Sequence, residues 1–141
     1  MRKPWIQKNL PRKINKSAGS QDNKQNSPNP GRKGEEQAVE TLKKKGMLIV
    51  ARNFRSRRGE IDIIALDGET IVFTEVKTWS YYGIEELQYS VDLKKQLRII
   101  ETAKYFLSVH REYNGKAVRF DVVFVGKEAV THLAAAFMER V

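Results

Sequence analysis

Two acidic positions stand out in the middle of the chain: Asp62, and thirteen residues later the run Glu75-Val76-Lys77, set in the apolar stretches 61–66 and 71–76. Carboxylates inside stretches that should fill a core are costly unless something compensates them, and a divalent cation held by both is one such compensation. A metal at two carboxylates beside a lysine suits phosphodiester hydrolysis. The cation would acidify a water and neutralise phosphate charge, while the Lys77 ammonium would orient the attacking water or steady the transition state. Hard oxygen ligands, among them the Val76 carbonyl, favour Mg2+ or Mn2+ over zinc. The ordinary alternative is a half-buried salt bridge of Lys77 with one acid, which leaves the other carboxylate without a partner.

Whether the acids can meet depends on the elements that carry them. Three strands are predicted, 47–54, 59–67 and 69–77, from β-branched content and the turn residues between them. Asp67-Gly68 is a tight-hairpin signal, so the second and third strands should pair antiparallel. A two-residue loop at 67–68 sets position 62 diagonal to 75, and one at 68–69 sets them directly opposite. Both place Asp62, Glu75 and Lys77 on one face, with Ile64, Leu66, Ile71 and Phe73; Ile61, Ile63, Ala65, Val72 and Val76 should face the other way. A three-residue loop without a bulge would separate the acids. With both faces apolar, these strands read as central and covered on both sides.

Ahead of the strands, residues 31–46 read as a helix with Ala38, Val39 and Leu42 as its apolar stripe and Gly46 as its terminator. Glu35 shares that stripe and Glu36 does not, so Glu35 is the acid the helix would aim inward. A Glu in the first helical turn also complements the helix dipole, which is its competing explanation.

Basic residues cluster in two places near the acidic strands. Arg52, Arg55, Arg57 and Arg58 crowd the connection between the first two strands, and arginine forks match phosphate geometry. Lys94, Lys95 and Arg98 lie in the N-terminal half of a second helix, 90–108, expected to bury Leu93, Leu97, Ile100, Ala103 and Leu107. Cations there oppose the helix dipole, which favours a phosphate-facing role over a stabilising one. Trp79, Tyr81 and Tyr82 could stack on bases, although packing onto the domain is the plainer reading. A fourth strand is expected at 118–125, where Asp121 would pair with Arg119. His132, in 129–137, reads as an edge-strand or packing histidine.

The net charge of +9 points to a polyanionic partner, and much of it sits at the N-terminus. Residues 1–30 hold seven Lys and Arg against Asp22 alone in a polar setting, which reads as a disordered basic tail ahead of one domain at 31–141. The absence of cysteine excludes disulfides, zinc-thiolate sites and thiol catalysis. No stretch has membrane-spanning length, and a cytoplasmic location is expected.

Gly31-x-x-Gly34-Glu35, Ala51-Arg52-Asn53, Gly59-Glu60-Ile61-Asp62, Glu75-Val76-Lys77, Lys95-x-x-Arg98 and Arg119-Phe120-Asp121-Val122 together resemble the YraN-type family of uncharacterised bacterial proteins. That family is similar in turn to archaeal Holliday junction resolvases and the wider PD-(D/E)XK nuclease superfamily. The resemblance implies an α/β restriction-endonuclease-like αβββαβ core, a mixed central sheet flanked by helices. It also implies that Asp62 and Glu75 bind magnesium, that Lys77 is the catalytic lysine, and that Glu35 completes the acidic cluster. Glu60-Ile61 replaces the proline of the superfamily's name, and Trp79 stands where a basic residue is usual. The functional expectation is a magnesium-dependent endonuclease for structured or branched DNA. A nucleic-acid-binding module without turnover and a structural partner in a DNA-processing assembly are the alternatives. A junction enzyme would suit a homodimer, although no heptad or exposed apolar face argues for one.

Overall fold

The computed structural model of the protein describes residues 30–78 and 91–139, with side chains from residue 33 onward. The expected basic tail and the aromatic residues 79–82 lie outside the described residues. Helix α1 (Pro30–Lys44) is followed by β1 (Leu48–Ser56), β2 (Gly59–Asp67) and β3 (Thr70–Thr78), then by α2 (Leu93–Val109), β4 (Ala117–Val125) and β5 (Val130–Phe137). The αβββαβ order implied by the sequence resemblance is thus present, with one further strand at its end. The five strands lie in one mixed sheet in chain order. Pairing is antiparallel throughout except between β3 and β4, which run parallel and are joined through α2.

Each helix covers one face. Ala38, Val39 and Leu42 of α1 are buried with Met47, Ile63, Ala65, Val123 and Val125, as their spacing predicts. The helix ends in a Schellman motif: the Met47 N–H reaches the Leu42 carbonyl at 3.1 Å and the Gly46 N–H reaches Lys43 at 2.9 Å, with Gly46 at φ +91°. On the other face, α2 packs Ile99, Ile100, Ala103 and Phe106 against Ile64, Phe73 and Val122. The expected stripe of α2 is rotated, because Leu93 and Leu97 are 51% and 53% exposed. Phe106 decides the rotation, since its ring is fully buried against Phe54, Phe73 and Tyr113.

The β2–β3 hairpin closes between Asp67 and Thr70, leaving Gly68-Glu69 as its two-residue loop. Gly68 takes φ +60°, the first-position conformation that suits a tight hairpin turn. Alternation along β2 breaks at Asp62. Ile61 packs with Ile64, Phe54 and Phe106 rather than with Ile63 and Ala65, which corrects its expected face. The break faces an irregular point of the neighbouring strand: with Arg52 paired to Ile63 and Phe54 to Ile61, Asn53 stands level with Asp62 and takes φ +51°. Among the described residues, no helix is long and apolar enough to cross a membrane.

Candidate functional site

The β2–β3 ladder stops at the pair Ile63 and Thr74, so Asp62 and Glu75 stand level one position beyond the last paired residues. There the strands part, and a side chain takes over from the backbone: Asp62 Oδ2 accepts the Val76 N–H at 2.8 Å. Within an extended strand a residue's N–H and C=O point the same way. The Val76 carbonyl is therefore directed toward the Asp62 side of β3.

Glu75 is nearly enclosed, with its side chain 6% exposed, and its charge acts on Asp62. Burial, with the Glu75 charge next in weight, pushes the Asp62 carboxyl up from its ordinary value of 3.8 to about 7, against the opposing pull of the Val76 N–H. Glu35 adds to the same push from α1. The helix starts at Pro30, so Glu35 lies beyond the first turn and the dipole does not account for it. What brings it near is close packing. A Cβ on Gly34 would come within 3.0 Å of Thr78 Oγ1 and 3.8 Å of Val125 Cβ, so this part of α1 rests directly on the ends of β3 and β4. Asn53 Nδ2 donates to Glu35 Oε2 at 3.2 Å, and Arg52 bonds Glu36 at 2.8 Å while standing 3.9 Å from Glu35.

The cation on Glu75 is not the one the salt-bridge alternative names. Lys95 Nζ, reaching from the first turn of α2, stands 3.2 Å from Glu75 Oε1. Lys77, two residues after Glu75 in β3, is half-buried and makes no ion pair with a described residue. The structure thus brings together Glu35, Asp62, Glu75 and the Val76 carbonyl, an all-oxygen set of the kind hard cations prefer. Among the described residues, no three His, Asp or Glu side chains are gathered as a ready coordination shell. Two carboxylates and a carbonyl form the core of the cluster, and Glu35 stands further out.

The expected phosphate-facing cations divide into two sets. Arg52 is held by Glu36, Arg55 by Glu60 at 3.1 Å, Arg58 by Glu101 at 3.0 Å and Lys95 by Glu75. Arg57, Lys94 and Arg98 are exposed and bridge no described acid. The turn that carries Arg57 lies against Arg98, since a Cβ on Gly59 would lie 3.5 Å from Arg98 Cβ.

A second polar cluster was only partly visible in the sequence. Asp121, fully buried, receives Arg119 Nε on Oδ1 and Nη2 on Oδ2, each at 2.9 Å, as its spacing predicts. It also bonds His132 Nε2 at 2.7 Å and the Ala135 N–H at 2.9 Å, while Arg119 extends to Asp67 and His132 Nδ1 to Lys45. These contacts, foremost His132 and then Arg119, outweigh burial and hold the Asp121 carboxyl down at about 2. Separations of 11 and 87 residues carry no local signal, so the pairings of His132 with Asp121 and Lys45 were hidden from sequence reasoning.

Comparison with known proteins places these residues in a family. The model of the uncharacterised protein family UPF0102 matches residues 34–125, which include Glu35, Asp62, Glu75, Lys77, Lys95 and Asp121. A UPF0102 protein of Persephonella marina is 45% identical over 107 residues, covering 76% of this chain and 91% of that protein. One from Treponema pallidum is 43% identical over 115 residues, covering 77% and 91% respectively.

Proposed function

Since the chain belongs to the uncharacterised protein family UPF0102, the YraN-type family its motifs resemble, we propose that it is a magnesium- or manganese-dependent endonuclease for structured or branched DNA. The observation that carries the reading is the meeting of Asp62 and Glu75 at the parted end of β2 and β3, with the Asp62 carboxyl driven up to about 7. Two enclosed acids with one lysine between them are a site short of positive charge. Asp62, Glu75 and the Val76 carbonyl would hold the ion, with Glu35 as the outer acid. A divalent cation bound there supplies charge neutralisation at the scissile phosphate and acidifies water. Lys77, which bridges no described acid, orients the attacking water or offsets charge developing on the phosphate. Arg57, Lys94 and Arg98 grip the flanking backbone, while Arg52, Arg55 and Arg58 are already paired with acids of the chain.

The test is cleavage of four-way junction, flap and linear DNA by the purified protein with MgCl2 or MnCl2. Asp62→Asn and Glu75→Gln should each lower the rate on the order of a hundred- to a thousandfold, the cost of losing one electrostatic stabiliser. No cleavage with either metal, or cleavage untouched by both substitutions, refutes the enzyme. A second reading rests on the Lys95–Glu75 bridge: a site that supplies part of its own neutralisation fits a nucleic-acid-binding module without turnover. Salt-sensitive DNA binding that survives Asp62→Asn, with no cleavage by the unmodified protein, would select that reading.

A further inference from the structure

Lys95 occupies a position that its own helix does not favour. It is the third residue of α2, and its backbone N–H is bonded at 2.8 Å by the Asp92 cap. At this place a glutamate or glutamine would complete the cap, and a cation opposes the positive end of the helix dipole. Its side chain is 37% exposed, yet its ammonium turns in to a carboxylate that is 6% exposed. The reason for a lysine here therefore lies in Glu75. One ammonium does not balance the site, because among the described residues Asp62 beside it is bonded by the Val76 N–H and by no cation. Lys95 holds the place of a stronger cation on the same oxygen atoms.

Around Lys95 lie three cations that bridge no described acid. Lys94 precedes it, Arg98 follows one turn later on the same helical side, and the turn carrying Arg57 abuts Arg98. An ammonium leaving Glu75 would join them without any backbone movement, since the lysine stem is long and flexible.

We propose that Lys95 is a resident counter-ion of Glu75 that a divalent cation displaces, and that the released ammonium joins Lys94, Arg98 and Arg57 in gripping nucleic-acid phosphate. Metal binding and nucleic-acid binding are then coupled through one side chain. The metal removes the partner that kept Lys95 from phosphate, and phosphate rewards the displacement. By reciprocity, nucleic acid tightens the metal. This rests on the metal-site reading above, and its test separates the two.

Manganese binding is measured by titration calorimetry on the full-length protein without DNA, for the unmodified chain and for Lys95→Gln. Removing the competing ammonium should tighten manganese about fivefold, which corresponds to about 1 kcal/mol. A reporter that needs no variant is the reactivity of Lys95 in the unmodified protein toward an acetylating reagent, read by peptide mass spectrometry. Saturating MnCl2 should raise it severalfold while Lys94 stays constant. If Lys95→Gln binds manganese no more tightly, or if Lys95 acetylation ignores the metal, displacement is overturned and the metal site stands. If the unmodified protein binds no manganese, the site and the displacement fall together.

Discussion

Asp121 sits enclosed with an arginine, a histidine and a backbone N–H on its two oxygen atoms, whereas Asp62, two strands away in the same sheet, has one backbone N–H and two further acids for company. The first carboxyl is held down at about 2 and the second driven up to about 7. Burial raises both, so the opposite direction at Asp121 comes from its partners. Around Asp121 they pin the edge strand: the Ala135 N–H lies where β5 bulges and Ala135 takes φ +52°, a strained conformation held by the bond to Asp121. Around Asp62 they set acid beside acid, with Lys95 on Glu75 as the cation among the described residues, and that arrangement costs stability.

The sharpest test of this contrast is the pH dependence of metal-free stability, because the two aspartates act with opposite sign. With the Asp62 carboxyl raised in the fold, the unfolded chain gives up its proton first, so between about pH 4 and 7 the folded state binds more protons and stability falls as pH rises. The full span corresponds to about 4 kcal/mol, from about 1.4 kcal/mol per pH unit. Urea unfolding of the metal-free protein should show this decline, Asp62→Asn should remove it, and magnesium at pH 8 should restore most of the loss. Asp121 contributes in reverse: its stabilisation is complete above about pH 4 and is lost as pH falls through about 2. A metal-free protein whose stability is flat from pH 4 to 7 would break the comparison.

How far such a contrast is legible before folding depends on the range of the contacts. Turn parity alone brings Asp62 level with Glu75, because two-residue hairpin loops preserve the face and the Gly68-Glu69 loop sets them directly opposite. The stripe of Ala38, Val39 and Leu42 likewise separates Glu35 from Glu36. The partner of Glu75 is another matter. Lys95 reaches it from the crossover helix, and nothing in a helical pattern says which exposed lysine will bend toward which strand. The exposure of Leu93 and Leu97 was hidden for a related reason, since the rotation of α2 is set by how the Phe106 ring nests among distant aromatics. Ile61 changed faces beside the point where Asn53 of the neighbouring strand takes φ +51°, which no periodicity in β2 announces.

Substitution at the satisfied cluster should cost stability and spare the site. Asp121→Ala leaves the Ala135 N–H without its acceptor and strips Arg119 and His132 of their shared partner. Breaking a buried pair from one side costs about 3 kcal/mol or more, and Arg119 keeps only Asp67 at 2.9 Å. Urea midpoints should drop accordingly, while manganese affinity at 10 °C, where the variant stays folded, should match the unmodified protein. A variant that loses metal with little change in stability would join the two clusters into one functional unit.

Thr74 offers the finest division between them. It is the residue before Glu75, it pairs across β3 and β4 with Asp121, and it is fully buried with its Oγ1 bonded to no described residue. A lone buried hydroxyl costs on the order of 1 kcal/mol, and valine replaces it with a methyl of similar shape. If the hydroxyl serves neither cluster, Thr74→Val stabilises the protein by about 1 kcal/mol in urea unfolding and leaves manganese binding unchanged. If the same substitution weakens manganese severalfold, the hydroxyl acts on the Glu75 side. The boundary between the charge-satisfied and the charge-deficient halves of the sheet then lies at the β3–β4 seam rather than at Glu75.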